Sequence, residues 1–347
     1  MFFSHSSSTF CLRILLTCLV ACSIISMVNI FTILQKKQFN RSMATMNIDE
    51  SEPIDDDIKT KQDFVKNSSA HRLVIPPVTM ATVAPNHGNN RSWCKEKILR
   101  GLDHVIVYNA VPKTGSRTIS SLARELFGHR NRRGKSIFIP YELYRDEVNL
   151  RAFYKKHKTG PRLMRGHSFY TPMSGKQYTY INIIRDPVER YISHLYYSWY
   201  GDSNNMEKKA GIETNNIDEC VLTGQCHPTG YLPFFCGFHP NCSDSSNRWS
   251  LDQAVSNLDN FLVVGLTEEM DDTIRVLQKL LPDVFKGISS AYKRNAKKMK
   301  KSYTTVVKKP PLNQTVQKLR EVMSQTYEFY DIVKRRFHDL KKCLEVE

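Results

Sequence analysis

The apolar positions of this chain fall into three patterns, and each predicts a different kind of element. Short β-rich apolar runs, bounded by charge or turn residues, occur at 105–109 (VIVYN), 180–184 (YINII) and 261–266 (FLVVGL). Runs of that length and composition read as parallel strands buried on both faces. Elsewhere the apolar spacing changes to three and four. Residues 119–126 read as a helix. Residues 268–281 open with two glutamates behind Thr267, the predicted N-cap, and end before Pro282. Near the C-terminus Val316, Leu319, Met323, Tyr330, Val333, Phe337 and Leu340 predict a helix with one buried stripe. Strands alternating with helices imply an α/β fold, a parallel β-sheet flanked by helices.

The third pattern is an unbroken apolar run. Ile14 to Leu34 holds 21 residues without a charged side chain. At about 1.5 Å per residue it just spans a hydrocarbon core of roughly 30 Å. A cleaved signal peptide has a shorter apolar core, so the run is predicted to be a transmembrane signal-anchor. Residues 1–13 are then a cytoplasmic tail. Residues 35–92 are polar, with an acidic knot at Asp55-Asp56-Asp57 and a Pro76-Pro77 pair, and show neither period. They predict a flexible stem. A folded domain is expected over 93–347.

Charge narrows the partners. The formal net charge of +16 over 347 residues points to a polyanion: nucleic acid, membrane surface or acidic glycan. Sidedness is contested. Arg13 precedes the span while Lys36, Lys37 and Arg41 follow it, which favours a cytosolic body. Two features oppose this. Glycosylation sequons stand at Asn40, Asn67, Asn90, Asn241 and Asn313. Six of nine cysteines follow the span, four of them as the pairs Cys220/Cys226 and Cys236/Cys242. Five residues separate each pair, whereas zinc knuckles favour two to four, so two small disulfide loops in an oxidising lumen are expected. Cys94 and Cys343 are left to pair with each other or with another subunit. A type II membrane protein with a luminal body follows, and acidic glycans displace nucleic acid as the expected partner.

Candidate chemistry begins after the first strand, in AVPKTGSRTISSL (110–122). Strand, short loop and helix converge free backbone N–H groups on an anion. A nucleotide-hydrolysing loop reads GxxxxGK[ST], with lysine after the second glycine. Here Lys113 precedes the only glycine of the stretch, Gly115. On the loop alone, a phosphate cradle and a plain glycine turn with a solvated lysine are evenly matched. The second strand shifts the balance. YINIIRDPVERYISHLYY puts Arg185 at the strand end, Pro187 in the first turn of a helix and Ser193 two turns on. Ligands of open α/β sheets bind outside the carboxyl ends of strands, so two anion sites can share one crevice. The competing role for Arg185 is an ion pair with Asp186 or Glu189.

PKTGSRT and RDPVERYIS, in this order on an anchored chain, resemble the Golgi sulfotransferases. The closer likeness is to the uronosyl 2-O-sulfotransferases of heparan, dermatan and chondroitin sulfate, which include Pipe. RGHSFY, DECVLTGQC, PFFCGFHPNC, FLVVGLTEEMDD and YEFYDIVKRRF extend it over about 101–340. The resemblance implies a P-loop-like sulfotransferase fold and 3′-phosphoadenosine 5′-phosphosulfate (PAPS) as sulfate donor, with no metal. By motif, Lys113, Thr114, Gly115, Ser116, Arg117 and Thr118 grip the 5′-phosphosulfate, and Arg185 with Ser193 the 3′-phosphate. Lys113 would stabilise charge at the bridging oxygen. His167, in LMRGHSFYTP, matches the family's catalytic base. Tyr303-Thr304-Thr305, with Lys308 and Lys309, matches a loop that closes over the nucleotide. The acceptor implied is the 2-hydroxyl of iduronate or glucuronate in a glycosaminoglycan, and relatives form trimers.

Two departures bear on the acceptor. Arg165 stands where heparan-sulfate enzymes carry a second histidine; an arginine can fork a uronate carboxylate but cannot act as a neutral base. Trp199, in SWYGD, replaces the arginine of the family's RFGD stretch. The basic runs 130–133, 155–158 and 293–301 suit an anionic polysaccharide. The alternative function is a silent glycosaminoglycan-binding protein that keeps the fold. Retention of Lys113, Ser116, Arg185, Ser193 and His167 argues against it, since binding alone needs no base. A phosphoryl-transfer enzyme is disfavoured by the position of the lysine.

Overall fold

Buried apolar runs dictate the centre of the molecule. A computed structural model describes residues 92–127, 134–160, 162–175, 178–201, 216–305 and 307–346. The predicted anchor and stem, the sequons at Asn40, Asn67 and Asn90, and the basic run 130–133 lie outside the described residues. In chain order the elements are α1 (Ser92–Glu96), β1 (Val105–Asn109), α2 (Ser116–Phe127), β2 (Lys135–Phe138), α3 (Glu147–Lys156), β3 (Arg162–Gly166), β4 (Tyr178–Ile184) and α4 (Pro187–Tyr200). There follow α5 (Ile217–Leu222), α6 (Pro233–Cys236), α7 (Arg248–Asn257), β5 (Phe261–Leu266), α8 (Met270–Leu280), α9 (Ile288–Tyr303), α10 (Asn313–Val322) and α11 (Ser324–Cys343).

All strand pairs are parallel, in the order β2-β3-β1-β4-β5, and helices flank the sheet as the alternating pattern implied. The chain lays down β1, steps out to β2, returns through β3, then crosses β1 to β4. The order therefore reverses around β1, the switch point at which such sheets bind ligands. β1 is buried throughout. In register, Tyr108 of β1 stands beside Arg165 of β3 and Ile181 of β4. A buried amide staple fixes the central pair: Asn182 Nδ2 donates to the Asn109 carbonyl at 2.9 Å, and Asn109 Nδ2 donates to the Phe234 carbonyl at 2.7 Å. Each buried amide so used avoids a desolvation cost of roughly 1–3 kcal/mol.

Three sequence expectations are corrected. β2 and β3 were not among the predicted strands: β2 (KSIF) is an edge strand with exposed ends, and β3 (RLMRG) carries arginines that break its apolar run. Thr267 does not cap the following helix, whose N-cap is Glu269. Its hydroxyl is instead used by the sheet, as described below. The C-terminal stripe belongs to two helices that meet at Met323. Leu319 and Met323 pack with Val188, Tyr191, Ile192 and Tyr196 of α4 in a small second cluster. Tyr330, Val333, Phe337 and Leu340 pack in the main core. Two different burial partners require a change of direction between them.

Disulfide bonds join Cys220 to Cys226, Cys236 to Cys242, and Cys94 of α1 to Cys343 at the end of α11. The last ties together residues 249 apart in sequence. Among the described residues no helix is long and apolar enough to cross a membrane.

Candidate active site

The site forms at the carboxyl ends of four neighbouring strands, β3, β1, β4 and β5. After β1 the chain turns through Val111-Pro112-Lys113-Thr114-Gly115 into α2. Lys113 and Gly115 both have positive φ, 67° and 90°. For a lysine that conformation is uncommon and marks a backbone held by its surroundings. At Gly115 a side chain would meet Met270 Cε at 2.6 Å, so helix α8 closes against the loop from below. Thr114, fully buried, donates its hydroxyl to the Val111 carbonyl at 2.8 Å. Its own carbonyl accepts from Thr267 Oγ1 at 2.8 Å. That same hydroxyl lies 2.9 Å from the Ile184 carbonyl, so Thr267 rivets the loop to the end of β4.

Lys113 Nζ rests 3.9 Å from the centre of the Tyr197 ring. The Arg117 guanidinium lies between Tyr197, at 5.7 Å, and Tyr303, at 4.9 Å. Tyr303 in turn shares a 2.6 Å hydrogen bond with Ser121 of α2. Aromatic faces thus hold both cations by their π clouds.

The second anion site expected from the sequence lies where β4 meets α4. Asp186 caps the helix by accepting from the Glu189 N–H at 2.9 Å, and Pro187 fills the first turn. Arg185 Nη2 pairs with Glu189 Oε2 at 3.0 Å, an ion pair that competes with an anion for this guanidinium. Lys308 Nζ meets the same oxygen at 2.7 Å. Two cations therefore converge on one carboxylate oxygen. Ser193 Oγ, buried, lies 3.2 Å from Thr305 Oγ1. Tyr303 thus touches the loop-side residues Arg117 and Ser121, while Thr305 and Lys308 touch α4. Below them Arg190 is buried and donates to the carbonyl and hydroxyl of Thr229. Burial lowers its pKa to about 10, which leaves it charged at neutral pH.

His167 follows β3 directly. Its Nδ1 lies 2.8 Å from the Ala110 carbonyl, three residues before Lys113. A carbonyl can only accept, so Nδ1 carries the proton and the lone pair resides on Nε2. Tyr144 packs edge-on against the imidazole at 6.1 Å. Gly166 admits this contact, since a side chain there would come within 2.8 Å of Ile139 Cβ and 2.9 Å of Tyr144 Cε1.

Arg165 is largely buried. Its Nε donates to Ser136 Oγ at 3.3 Å, and its guanidinium lies 5.3 Å from the centre of the Phe138 ring. Phe138, beside Arg165, is exposed at 37%, and Tyr141, three residues on, at 57%. Trp199 packs against Tyr196 and Tyr200 in the second cluster.

Sequence reasoning missed Thr267, Tyr197 and His194. Thr267 looked like a cap because it precedes acidic residues. Tyr197 lies one turn beyond Ser193 on α4, a spacing that could have revealed it. His194, partly buried, has its pKa lowered to about 3, first by burial, then by Arg190, Lys113 and His167. It is neutral at any physiological pH.

The sulfotransferase family profile matches residues 97–332. The chain belongs to the sulfotransferase family. It is similar to the uronyl 2-sulfotransferase of Homo sapiens, 36% identical over 259 residues, which cover 68% of this chain and 63% of that protein. It is also similar to heparan sulfate 2-O-sulfotransferase 1 of Mus musculus, 33% identical over 261 residues, 69% of this chain and 72% of that one. The match thus spans less than two thirds of the length of the uronyl 2-sulfotransferase. The loop after β1 and the start of α4 bring Lys113, Arg117, Arg185 and Lys308 to neighbouring strand ends, and cations at two separate points suit a nucleotide with two separated phosphate groups. Glu189 already sits where an anion would meet Arg185 and Lys308.

Proposed function

We propose that this protein is a sulfotransferase that uses PAPS to sulfate the 2-hydroxyl of a uronic acid, iduronate or glucuronate, within a glycosaminoglycan such as dermatan, chondroitin or heparan sulfate. The observation that carries the reading is the His167–Ala110 hydrogen bond, which ties a base to the loop that would grip the donor. Binding alone would not require it.

The bound donor supplies an activated sulfuryl group on a phosphate leaving group. Lys113, with Thr114, Gly115, Ser116, Arg117 and Thr118, holds the 5′ end, and the Lys113 ammonium stabilises charge at the bridging oxygen. Arg185 and Ser193 hold the 3′-phosphate, with Lys308 beside them. His167 Nε2 takes the proton of the sugar hydroxyl as that oxygen attacks sulfur. The Ala110 carbonyl fixes the tautomer that this step needs and stabilises the imidazolium that results. Arg165 supports a uronate carboxylate from the β2 side.

The protein sits in the Golgi membrane as a single-pass type II protein, anchored by residues 14–34, with 35–92 as stem and the catalytic domain in the lumen. Three disulfide bonds and exposed Asn241 and Asn313 within sequons support an oxidising, glycosylating compartment. It assembles as a homo-oligomer, a trimer by its resemblance to relatives. The test is to incubate the full-length protein with labelled donor and, separately, heparan, dermatan and chondroitin sulfate, then map labelled disaccharides. Label on a uronate 2-position is expected. Label at amino-sugar positions, or none on any glycan, would overturn the reading.

A further inference from the structure

The structure separates the basic runs that the sequence presented alike. Lys155 and Lys156 close the last turn of α3, where cations commonly complement a helix end. The run at 293–301 is different. From Lys286 to Arg320 the chain has eleven lysines and arginines and no aspartate or glutamate. Within it α9 buries Ile288, Ala291 and Met299 and exposes Lys293, Arg294, Lys297, Lys298, Lys300 and Lys301. Lys293, Lys297 and Lys300 recur at spacings of four and three, so they form one stripe roughly 10 Å long at about 1.5 Å per residue.

Like charges in such a row repel, and ordinary surface helices intersperse acids among them. Glu125 of α2 meets Arg294 at 2.6 Å and Asn295 at 2.9 Å on the flank that packs against the domain. The stripe also has a definite destination. One turn after Lys300, Tyr303 ends α9 against Ser121 and Arg117 at the donor loop. A rigid helix therefore leads its row of cations to the mouth of the active site.

We propose that the exposed face of α9 is an exosite for a polyanionic glycan, engaging sulfate and carboxylate groups of the acceptor chain several sugars away from the reacting residue. The inference rests on the glycosaminoglycan reading above and adds to it a dependence on chain length. Flexible lysines at regular spacing match a polymer of repeated charge better than a single small anion. Their binding is driven by release of counterions, so it carries a salt signature that a single fork to one carboxylate does not.

The test uses full-length protein and the variant Lys293→Gln/Lys297→Gln/Lys300→Gln. Four measurements are compared: direct binding of long sulfated glycosaminoglycan chains across salt concentrations, transfer to a tetrasaccharide acceptor, affinity for 3′-phosphoadenosine 5′-phosphate, and binding to vesicles containing anionic phospholipid. The plot of log affinity against log salt for long chains should flatten by about 2, taking about 0.7 per lost contact on a single strand. At physiological salt the long-chain affinity should drop on the order of tenfold or more. Tetrasaccharide kcat and KM, and nucleotide affinity, should stay at wild-type values.

An unchanged salt slope would overturn the proposal. So would equal losses on the tetrasaccharide and the long chain, which would place these lysines at the reacting sugar. A loss seen on vesicles containing anionic phospholipid, with none on glycan, would assign the stripe to the membrane surface instead. Long-chain binding needs no turnover. A wild-type protein that transfers no sulfate yet shows the predicted slope change would break the proposed reaction and leave the exosite standing.

Discussion

The two sides of the crevice are built on opposite principles. On the proposed donor side, between β1 and β4, nearly every candidate group is held by another element: Thr114 by Thr267, Lys113 by Tyr197, Ser193 by Thr305, Arg117 by Tyr303. On the proposed acceptor side, toward the sheet edge, β2 has exposed ends and Phe138 and Tyr141 face solvent. Fixed charges on a nucleotide reward a rigid cradle, because donors aimed in advance cost no reorganisation. A polymer that must slide through rewards an open wall. His167 stands at the boundary, hydrogen-bonded to the donor loop and packed on Tyr144 from the acceptor wall.

That boundary position gives the largest expected effect. His167→Ala should lower the transfer rate by on the order of 10²–10⁴-fold, about 3–5 kcal/mol of barrier, while nucleotide affinity is retained. Initial rates and calorimetry with 3′-phosphoadenosine 5′-phosphate separate the two. If affinity falls as far as rate, His167 belongs to the donor cradle and another residue is the base.

Next comes the cradle itself. Arg185→Ala should weaken nucleotide binding about ten- to hundredfold, since hydrogen bonds to charged groups contribute roughly 1.5–3 kcal/mol. Glycan affinity should be untouched. Calorimetry that finds unchanged nucleotide affinity would reduce Arg185 to the ion pair it makes with Glu189.

The acceptor wall should yield less. Tyr141→Ala removes an exposed aromatic face, and ring stacking of this kind is worth roughly 0.5–1.5 kcal/mol, or about three- to tenfold in affinity. The change should appear in KM for glycan and leave kcat and nucleotide affinity alone. A loss confined to kcat would mean that Tyr141 acts through Tyr144 on His167.

The same contrast explains what was legible beforehand. β1 and β5 match their apolar runs end to end, and the loop at 113–118 lies where strand, glycine and helix predict. These features are local: sequence neighbours make them. β3 was hidden because Arg165 and Arg162 look like surface charge, although Arg165 is largely buried against Phe138 and Ser136. Thr267 was misread because the cap signal is local while its real partners, the Thr114 and Ile184 carbonyls, lie 153 and 83 residues away. The break at Met323 carries no glycine or proline to announce it. Only tertiary burial in two clusters sets it.

The smallest expected effect is the most diagnostic of how the donor side waits for its ligand. Glu189 holds Arg185 and Lys308 together through one carboxylate oxygen, with its side chain 48% exposed. Burial alone would raise its pKa; hydrogen bonds and attraction from Lys308 and Arg185 outweigh this, and the carboxyl ends below its ordinary 4.5. It is therefore ionised at neutral pH and occupies the cations proposed to bind the 3′-phosphate. Exposed pairs of this kind stabilise the fold by no more than about 1 kcal/mol. Because the folded-state pKa is depressed, that contribution is present above the ordinary carboxylate value and is lost as pH falls through the folded one. Glu189→Gln should cost little stability at neutral pH and tighten 3′-phosphoadenosine 5′-phosphate binding a few-fold, on the order of 1 kcal/mol, by removing the competing charge. Thermal unfolding of the variant should also lose the acid-range slope that Glu189 contributes. Weaker nucleotide binding would reverse the reading: Glu189 would then position Arg185 for the phosphate, and the donor side would be as preorganised at this carboxylate as it is at Thr114.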